Sequence, residues 1–501
     1  MDTNKLRQKI LDLAIRGKLV SQDPNDEPAS VLIEKIRSEK ERLIKEKKIK
    51  RDKNESYIYR SDKSYYEKFA DGTVKCIDEE IPFEIPESWE WCRLNTILSK
   101  LTDGTHHSPE NVPIGDYMYI TAKNIKSDGI LLKDITYVSK EVHDEIYTRC
   151  NPEKGDILYI KDGATTGIAT INSLSEPFSM LSSVALLKPI KHLNNYYLLD
   201  FLQSPLCYNF TRNNMKGVGI TRVTLTQMER WLIPIAPLKE QKCIVEQVDD
   251  LFSAVIDINR NKEELFDYIK NAKSKILDLA VRGKLVPQDP NDEPASVLLE
   301  RIKAERPEGK KKAKSTSDNS HYTFDIPKAW EWTTIGDISE HNTGKTLDKG
   351  RNSGILYKYI TTSNLYWDSF VLDNLKEMPF EENELDKCSA IKGDLLICEG
   401  GDGGRSAIWN KEYPICFQNH IHRVRPLSGI KSKYLYFFML YSYLNGNINY
   451  YKKGIGIQSL SGSSLSSIKV PLPPIPEQDR IVKKIEDIFS SLDEIANSIK
   501  A

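Results

Sequence analysis

KILDLAVRGKLVPQDPNDEPASVLLERI, residues 275–302, repeats KILDLAIRGKLVSQDPNDEPASVLIEKI, residues 9–36. The copies start 266 residues apart and differ only at Ile15/Val281, Ser21/Pro287, Ile33/Leu299 and Lys35/Arg301. An internal repeat has to be resolved before any single motif carries weight. The RGKLV-x-QDPNDEPAS portion has the Gly, Pro, Asp and Asn content of a loop between helices. Asp26–Ser30 and Asp292–Ser296 suit an N-cap for the next helix.

Outward from this phrase, more of the chain repeats. IPESWEW (Ile85–Trp91) returns as IPKAWEW (Ile326–Trp332), and YITAKNI from Tyr119 as YITTSNL from Tyr359. KGDIL from Lys154 returns as KGDLL from Lys392, and KGVGI from Lys216 as KGIGI from Lys453. PIAPLKEQKCIVEQVDDLF from Pro234 returns as PLPPIPEQDRIVKKIEDIF from Pro471. The offset drifts from 266 through 241 to 237, as small insertions in a duplicated chain require. Between the shared phrases the halves diverge: TDGTHHSP (102–109) faces HNTGKTLD (341–348), and DGATTG (162–167) faces GGDGGR (400–405). One frame carries two sets of loops, the pattern expected of two related recognition modules.

After PIAPLKEQ (Pro234–Gln241), apolar residues recur in 4,3 steps at Ile244, Val248, Leu251, Val255, Ile258, Leu265, Ile269, Ala272, Ile276 and Leu279, with Lys262 the one polar interruption. This is a coiled-coil seam, and it predicts a helix from about 238 to 282 between Pro237 and Gly283. Shifted by 237, the seam reappears at Ile481, Ile485, Ile488, Leu492, Ile495 and Ile499. Shifted by 266, it reappears at Leu6, Ile10 and Leu13. Ala501 then falls on position 264 and Met1 on position 267, so the two termini together spell a second, interrupted copy of the long helix. The repeat is circular. An intact helix and a split helix with matching seams should pair antiparallel, with the two loop-bearing domains in pseudo-twofold arrangement at opposite ends. Phe252, Ile256 and Phe266 form a second apolar stripe that points outward in this reading.

Composition sets the outer limits. With 501 residues, 39% hydrophobic and 29% charged, the chain is too long for one core and reads as a globular protein of at least two domains. Its net charge of −1 confines any nucleic-acid role to local patches. No apolar run reaches the ~20 residues of a membrane helix, and MDTNKLRQKI lacks a signal core, which points to a cytoplasmic protein without a membrane partner. The eight cysteines form no C-x-x-C pair and read as reduced, buried small hydrophobes, without a metal site. Glu34–Lys53 holds ten Lys/Arg against five acids, and Arg301–Lys314 seven against two; both read as solvated basic linkers, with nonspecific phosphate contact as the alternative.

Residues 81–236 and 322–473 have the texture of α/β domains with a mixed or antiparallel sheet, short strands alternating with helices such as 195–203, 224–231 and 432–443. Their loops hold the residue types that reach phosphates and base edges. The DNA-binding candidates in the first domain are Thr105, His106, His107, Lys123, Lys161, Thr165, Thr166, Lys216, Thr221 and Arg222. In the second they are Lys345, Thr346, Lys349, Arg351, Arg405, Ser406, Lys452, Lys453 and Gln458. Gly219 and Gly456 would let backbone approach a partner closely. Enzyme motifs fail: NTGKT at 342–346 would need glycine at 339 to be a phosphate loop, and the chain has Ser339. His106, His107, His420 and His422 lack carboxylates at metal or triad spacing, and there is no G-x-S-x-G or N-P-P-[YF]. The chain reads as a binder with no catalytic residues.

Taken together, the circular repeat, the IP-x-x-WEW openings, DGTHHSP and the P-x-x-EQ entries to the helices resemble the specificity subunits of type I restriction-modification systems over nearly the whole chain. The resemblance implies a conserved N-terminal region (1–80), a target recognition domain (81–236), a central conserved helix with phrase and linker (237–321), a second recognition domain (322–473) and a C-terminal conserved helix (474–501). It implies double-stranded DNA as ligand, each recognition domain reading half of a split asymmetric site and the helices fixing the spacer. Partners would be two methyltransferase subunits and motor-nuclease subunits. S-adenosylmethionine, ATP and Mg²⁺ would belong to those partners, leaving this chain without cofactor. Two alternatives stay open: the recognition subunit of a related, non-type-I methylation or defence system, and a coiled-coil adaptor that binds protein.

Overall fold

The computed structural model describes residues 2–52, 54–215, 221–305, 324–348, 350, 352–454 and 458–500. The chain divides into two compact units, Met1–Asn261 and Lys262–Ala501. The boundary falls inside one continuous helix, Leu238–Val281, of 44 residues, about 66 Å at 1.5 Å per residue. Each unit therefore owns one segment of the long helix, one copy of the phrase and one α/β body.

The two bodies share a strand plan. In the first unit a four-stranded antiparallel sheet runs in the order Ala169–Ile171, Ile157–Ile160, Val184–Pro189, Leu98–Asp103. In the second unit Ser406–Ile408, Leu395–Cys398, Ile421–Pro426 and Ser339–Thr343 repeat that order. A second, mixed sheet accompanies each, three-stranded in the first unit and four-stranded in the second, built on a parallel pair: Tyr117–Ile120 with Ser179–Met180, and Ile355–Ile360 with Ile415–Phe417. A two-stranded ribbon closes each body, Glu90–Arg93 with Leu232–Ile235 and Glu331–Thr334 with Lys469–Leu472. The predicted helices appear at Asn195–Gln203, Leu225–Glu229 and Ser432–Leu444.

The repeated phrase makes the same joint in both units. Gly17, with φ +64°, ends the N-terminal helix Thr3–Ile15 in a Schellman turn, Gly17 N–H to Ala14 O and Lys18 N–H to Leu13 O. Gly283, with φ +65°, ends the long helix identically through Ala280 O and Leu279 O. A Cβ on Gly17 would lie 2.5 Å from Pro86 Cγ, and one on Gly283 2.3 Å from Pro327 Cγ, so the turn needs glycine for both torsion and space. Those prolines belong to the IP-x-x-WEW motif, whose first tryptophan donates Nε1–H to a glutamate of the P-x-x-EQ motif. The pairs are Trp89–Glu240 and Trp330–Glu477, both 2.9 Å. Gln22 and Gln288 of the phrase complete each joint by bonding the same carboxylate and the glycine carbonyl. Burial pushes the Glu240 and Glu477 carboxyls above the usual range.

The helix after each phrase starts at Ala29 and Ala295. The predicted side-chain cap from Asp26–Ser30 is not what starts it. Pro28 occupies the cap position without a side-chain bond, and Ala29 N–H is taken by Ser88 O. Ala295 N–H is taken likewise by Ala329 O, while Asp26 and Asp292 pair with Lys239 and Arg480. The phrase is thus held by the other shared motifs instead of capping itself.

Within each unit two helical segments run antiparallel. Arg7 lies 4.0 Å over the Phe252 ring while Gln22 meets Glu240, so partner numbers fall as the chain rises. In the second unit Lys273 bonds Asp493 at 2.6 Å and Gln288 meets Glu477. Ile244, Val248, Val255 and Ile269 of the predicted seam are buried, but Leu265 is 39% exposed. Phe252 and Phe266 differ from expectation: they sit half-buried under Arg7 and Lys500, and of the proposed outward stripe Ile256 alone is exposed. The cysteines are all free thiols; Cys92, Cys150, Cys207, Cys398 and Cys416 are buried, whereas Cys76 and Cys243 are exposed.

The basic stretch Glu34–Lys53, expected to be linker, is helix through Lys45, and beyond it the N-terminal region contains an element the sequence pattern does not show. Ser56–Ser61, Ser64–Phe69 and Val74–Cys76 form an antiparallel meander. Its anchor is Glu67, fully buried in the middle strand, which accepts from Arg93, Ser56 and Arg230. Burial alone would raise this carboxyl, but those bonds outweigh it and bring it down to about 2. The folded value lies below the ordinary 4.5, so the stabilisation is present above pH 4.5 and lost as pH falls toward 2. We expect about 3 kcal/mol to disappear across that window in denaturant titrations, and Glu67→Gln to flatten it.

Candidate nucleic-acid interface

The sheet plan gathers the divergent loops at one end of each body. Leu98–Asp103 and Ile157–Ile160 point the same way, with Val184–Pro189 antiparallel between them. The ends of the first two and the start of the third therefore emerge together. Backbone bonds knit the loops: Thr105 N–H to Met180 O at 2.8 Å, Ser182 N–H to Thr105 O at 2.9 Å, Lys161 N–H to Ser183 O at 3.0 Å and Gly163 N–H to Thr221 O at 2.9 Å. Gly104 is required here, since a Cβ would fall 1.9 Å from Met180 O. The second unit repeats the construction. Lys345 N–H bonds Phe417 O, Asn419 N–H bonds Lys345 O, Glu399 N–H bonds His420 O and Leu460 N–H bonds Glu399 O. Gly344 takes the place of Gly104, its Cβ position 2.1 Å from Phe417 O.

Not every predicted reader faces solvent. In the first unit His106, His107, Lys123, Thr165, Thr221 and Arg222 are exposed and Thr105 is half-buried, its hydroxyl donating to His107 O. Lys161 instead turns inward: it is 6% exposed and its ammonium sits 3.4 Å from Asp103 and 3.3 Å from Asp162. Thr166 is fully buried with its hydroxyl on Gly163 O. Asp103 collects Lys161, Arg149 and His106, tying two loops to a helix. In the second unit Thr346, Lys453 and Gln458 are exposed and Lys452 is half-buried beside Tyr443. Lys345 is committed to Glu384 and Pro379 O, Arg405 donates to Thr362 O over the Tyr366 ring, and Ser406 is fully buried. These three, like Lys161 and Thr166, build the loops and do not present a free face. Lys216, Lys349, Arg351, Gly219 and Gly456 lie outside the described residues.

His422, buried beneath the second cluster, shares a ring-nitrogen contact of 3.0 Å with His341 and reaches Leu460 O at 2.7 Å. Burial lowers its pKa to about 4, so the imidazole is neutral at pH 7 and acts as a prop under the Leu460 carbonyl. Among the described residues no group of three or more His, Cys, Asp or Glu is placed to hold a metal. No helix of the described residues is long and apolar enough to cross a membrane.

The family model for the type I restriction modification DNA specificity domain matches residues 86–265 and 327–501. The chain belongs to the type I restriction-modification DNA specificity family. It is 28% identical to the specificity subunit of the type I restriction enzyme EcoAI of Escherichia coli, over 99% of this chain and 90% of that one. The EcoEI specificity subunit, also from Escherichia coli, is 28% identical over 99% and 91%. Its fold is similar to the HsdS subunit of Thermoanaerobacter tengcongensis, with a TM-score of 0.51, 16% identity, and 84% and 92% of the two chains covered. A chain from a solved type I restriction-modification assembly gives a TM-score of 0.54 at 15% identity, covering 84% and 94%.

In this specificity chain the two family matches fall one in each body and both take in the loop clusters. The structure adds residues to those clusters that composition did not single out. Ser182 and Ser183 join the first, Gln418, Asn419 and His420 the second, and Arg149 and Arg212 brace the first by donating to Gly104 O and Ala164 O. The available signal was the polar break before each incoming strand, LSS ahead of VALLKP and QNH ahead of IHRVRP.

Proposed function

We propose that this chain is the DNA-reading subunit of a type I restriction-modification complex, with each unit reading one half of a split, asymmetric site. The observation that carries this reading is the repetition of one strand plan in both units with different side chains at the same loop end. Exposed His106, His107, Arg222 and Lys123 on one unit, and Lys453, Gln458 and His420 on the other, supply the hydrogen-bonding and cationic groups that DNA recognition uses. Methyltransferase subunits would dock along the helices and motor-nuclease subunits would join them. S-adenosylmethionine, ATP and Mg²⁺ would act in those partners, in the cytoplasm, and this chain would perform no catalysis itself.

The long helix serves in this reading as the spacer between half-sites. Seven residues inserted between Asn261 and Lys262 leave every contact within each unit in place. They add about 10 Å of helix, close to the rise of about three base pairs. Methylome sequencing of cells expressing the variant with its methyltransferase should show the same two half-sites with a wider gap. An unchanged gap would overturn the ruler, and methylation without a two-part motif would overturn the half-site reading.

A further inference from the structure

The meander at residues 56–76 lies outside both family matches and has a face that the frame does not use. Strand alternation sends Ile58, Tyr65 and Glu67 inward. Tyr57, Tyr59, Ser61, Ser64, Tyr66 and Lys68 therefore share the opposite face. Tyr57 and Tyr59 have ring centroids 5.8 Å apart, and Tyr59 stacks on Tyr66 at 5.7 Å. Arg37, from the helix Ala29–Lys45, lies 5.0 Å from the Tyr57 ring, and Lys68 lies 6.0 Å from it. No outward position on these two strands is acidic. The carboxylate they do carry, Glu67, is turned inside and neutralised by Arg93 and Arg230. Lys45, Lys47 and Lys50, at the end of the helix that supplies Arg37 and just beyond it, are exposed.

We propose that this tyrosine face is a sequence-independent contact for the phosphate backbone of duplex DNA lying outside the site that the loops read. Phenol hydroxyls donate to phosphate oxygens, the ammonium and guanidinium groups neutralise them, and ring edges pack along sugars. A protein-docking face would offer mainly aliphatic area; here the third strand adds exposed Val74 beside Lys68 and Cys76 beside Tyr66, while the other two strands offer phenols, hydroxyls and cations. The inference rests on the DNA-reading role proposed above.

The test uses the chain assembled with its methyltransferase subunits, comparing wild type with Tyr57→Ser/Tyr59→Ser/Tyr66→Ser and, separately, Arg37→Gln/Lys68→Gln. Probes are site-bearing duplexes with short flanks or flanks of about 20 base pairs, a long duplex without the site, and a single strand. Wild type should bind the long-flanked duplex more tightly than the short one. Both variants should lose that gain, bind both long duplexes about 10-fold more weakly, keep the site-to-non-site ratio, and show a salt slope shallower by about one to two. The charge variant alters only outward side chains, so its result stands even where the triple variant unfolds. Unchanged affinity for long duplexes overturns the proposal, as does a loss confined to the single strand. Normal DNA binding with failed methyltransferase assembly also overturns it, because the face would then dock protein. Wild type that does not prefer its site would overturn the DNA-reading role itself, a result distinct from unchanged variants.

Discussion

Exchanging residues 322–473 for the matching segment of another family member should change one half of the methylated motif and leave the other half and the gap as they were. The cuts are well placed because Glu331–Thr334 pairs with Lys469–Leu472, so the exchanged body leaves the frame through both strands of one ribbon. The joint built from Gly283, Gln288 and Glu477 stays behind, and the incoming segment brings its own proline and tryptophan from the IP-x-x-W motif. Each wrong base pair costs about 1–3 kcal/mol, so a half-site of several specified bases should lose methylation by a factor of about 10³ or more. Methylome sequencing reads the outcome directly. If both halves changed, the loops of the two units would not be independent readers and the modular reading would be wrong.

What the sequence disclosed, and what it hid, follows from the period of each signal. The seam of the long helix repeats over many turns, and the phrase repeats almost letter for letter, so both stood out. Loop side chains carry no such periodicity. Lys161 follows the strand Ile157–Ile160 directly, and the pleat that buries that strand turns the lysine onto Asp103. Residue type alone points to Lys345 and Ser406, yet Glu384 claims the first and the sheet interior the second. The meander was missed for a related reason. Its inward strand positions include a charged Glu67, which breaks apolar alternation, and the carboxylate is tolerable inside only because Arg93 and Arg230 arrive from 26 and 163 residues away. No local window contains that pairing.

The repeated phrase makes the second large prediction, at the joint and not at the DNA. Trp330 is 3% exposed, fills the space beside Gly283 and donates to Glu477. Trp330→Ala should cost about 3–5 kcal/mol from the cavity and about 1–3 kcal/mol more for the carboxylate oxygen left without its donor. Trp330→Phe keeps most of the volume and removes only the N–H, so its loss should be confined to the second range. Trp89→Ala should reproduce the larger loss, because Glu240 and Gly17 stand in the same relation to Trp89. Denaturant unfolding at pH 7 separates these cases, and a loss below about 1 kcal/mol in both alanine variants would show that the joint does not hold the units. The phrase is spelled twice because a left-handed glycine, a glutamine, a proline, a tryptophan and a buried glutamate must meet in each unit. Selection on packing can thus keep two distant stretches nearly identical while the loops they carry diverge.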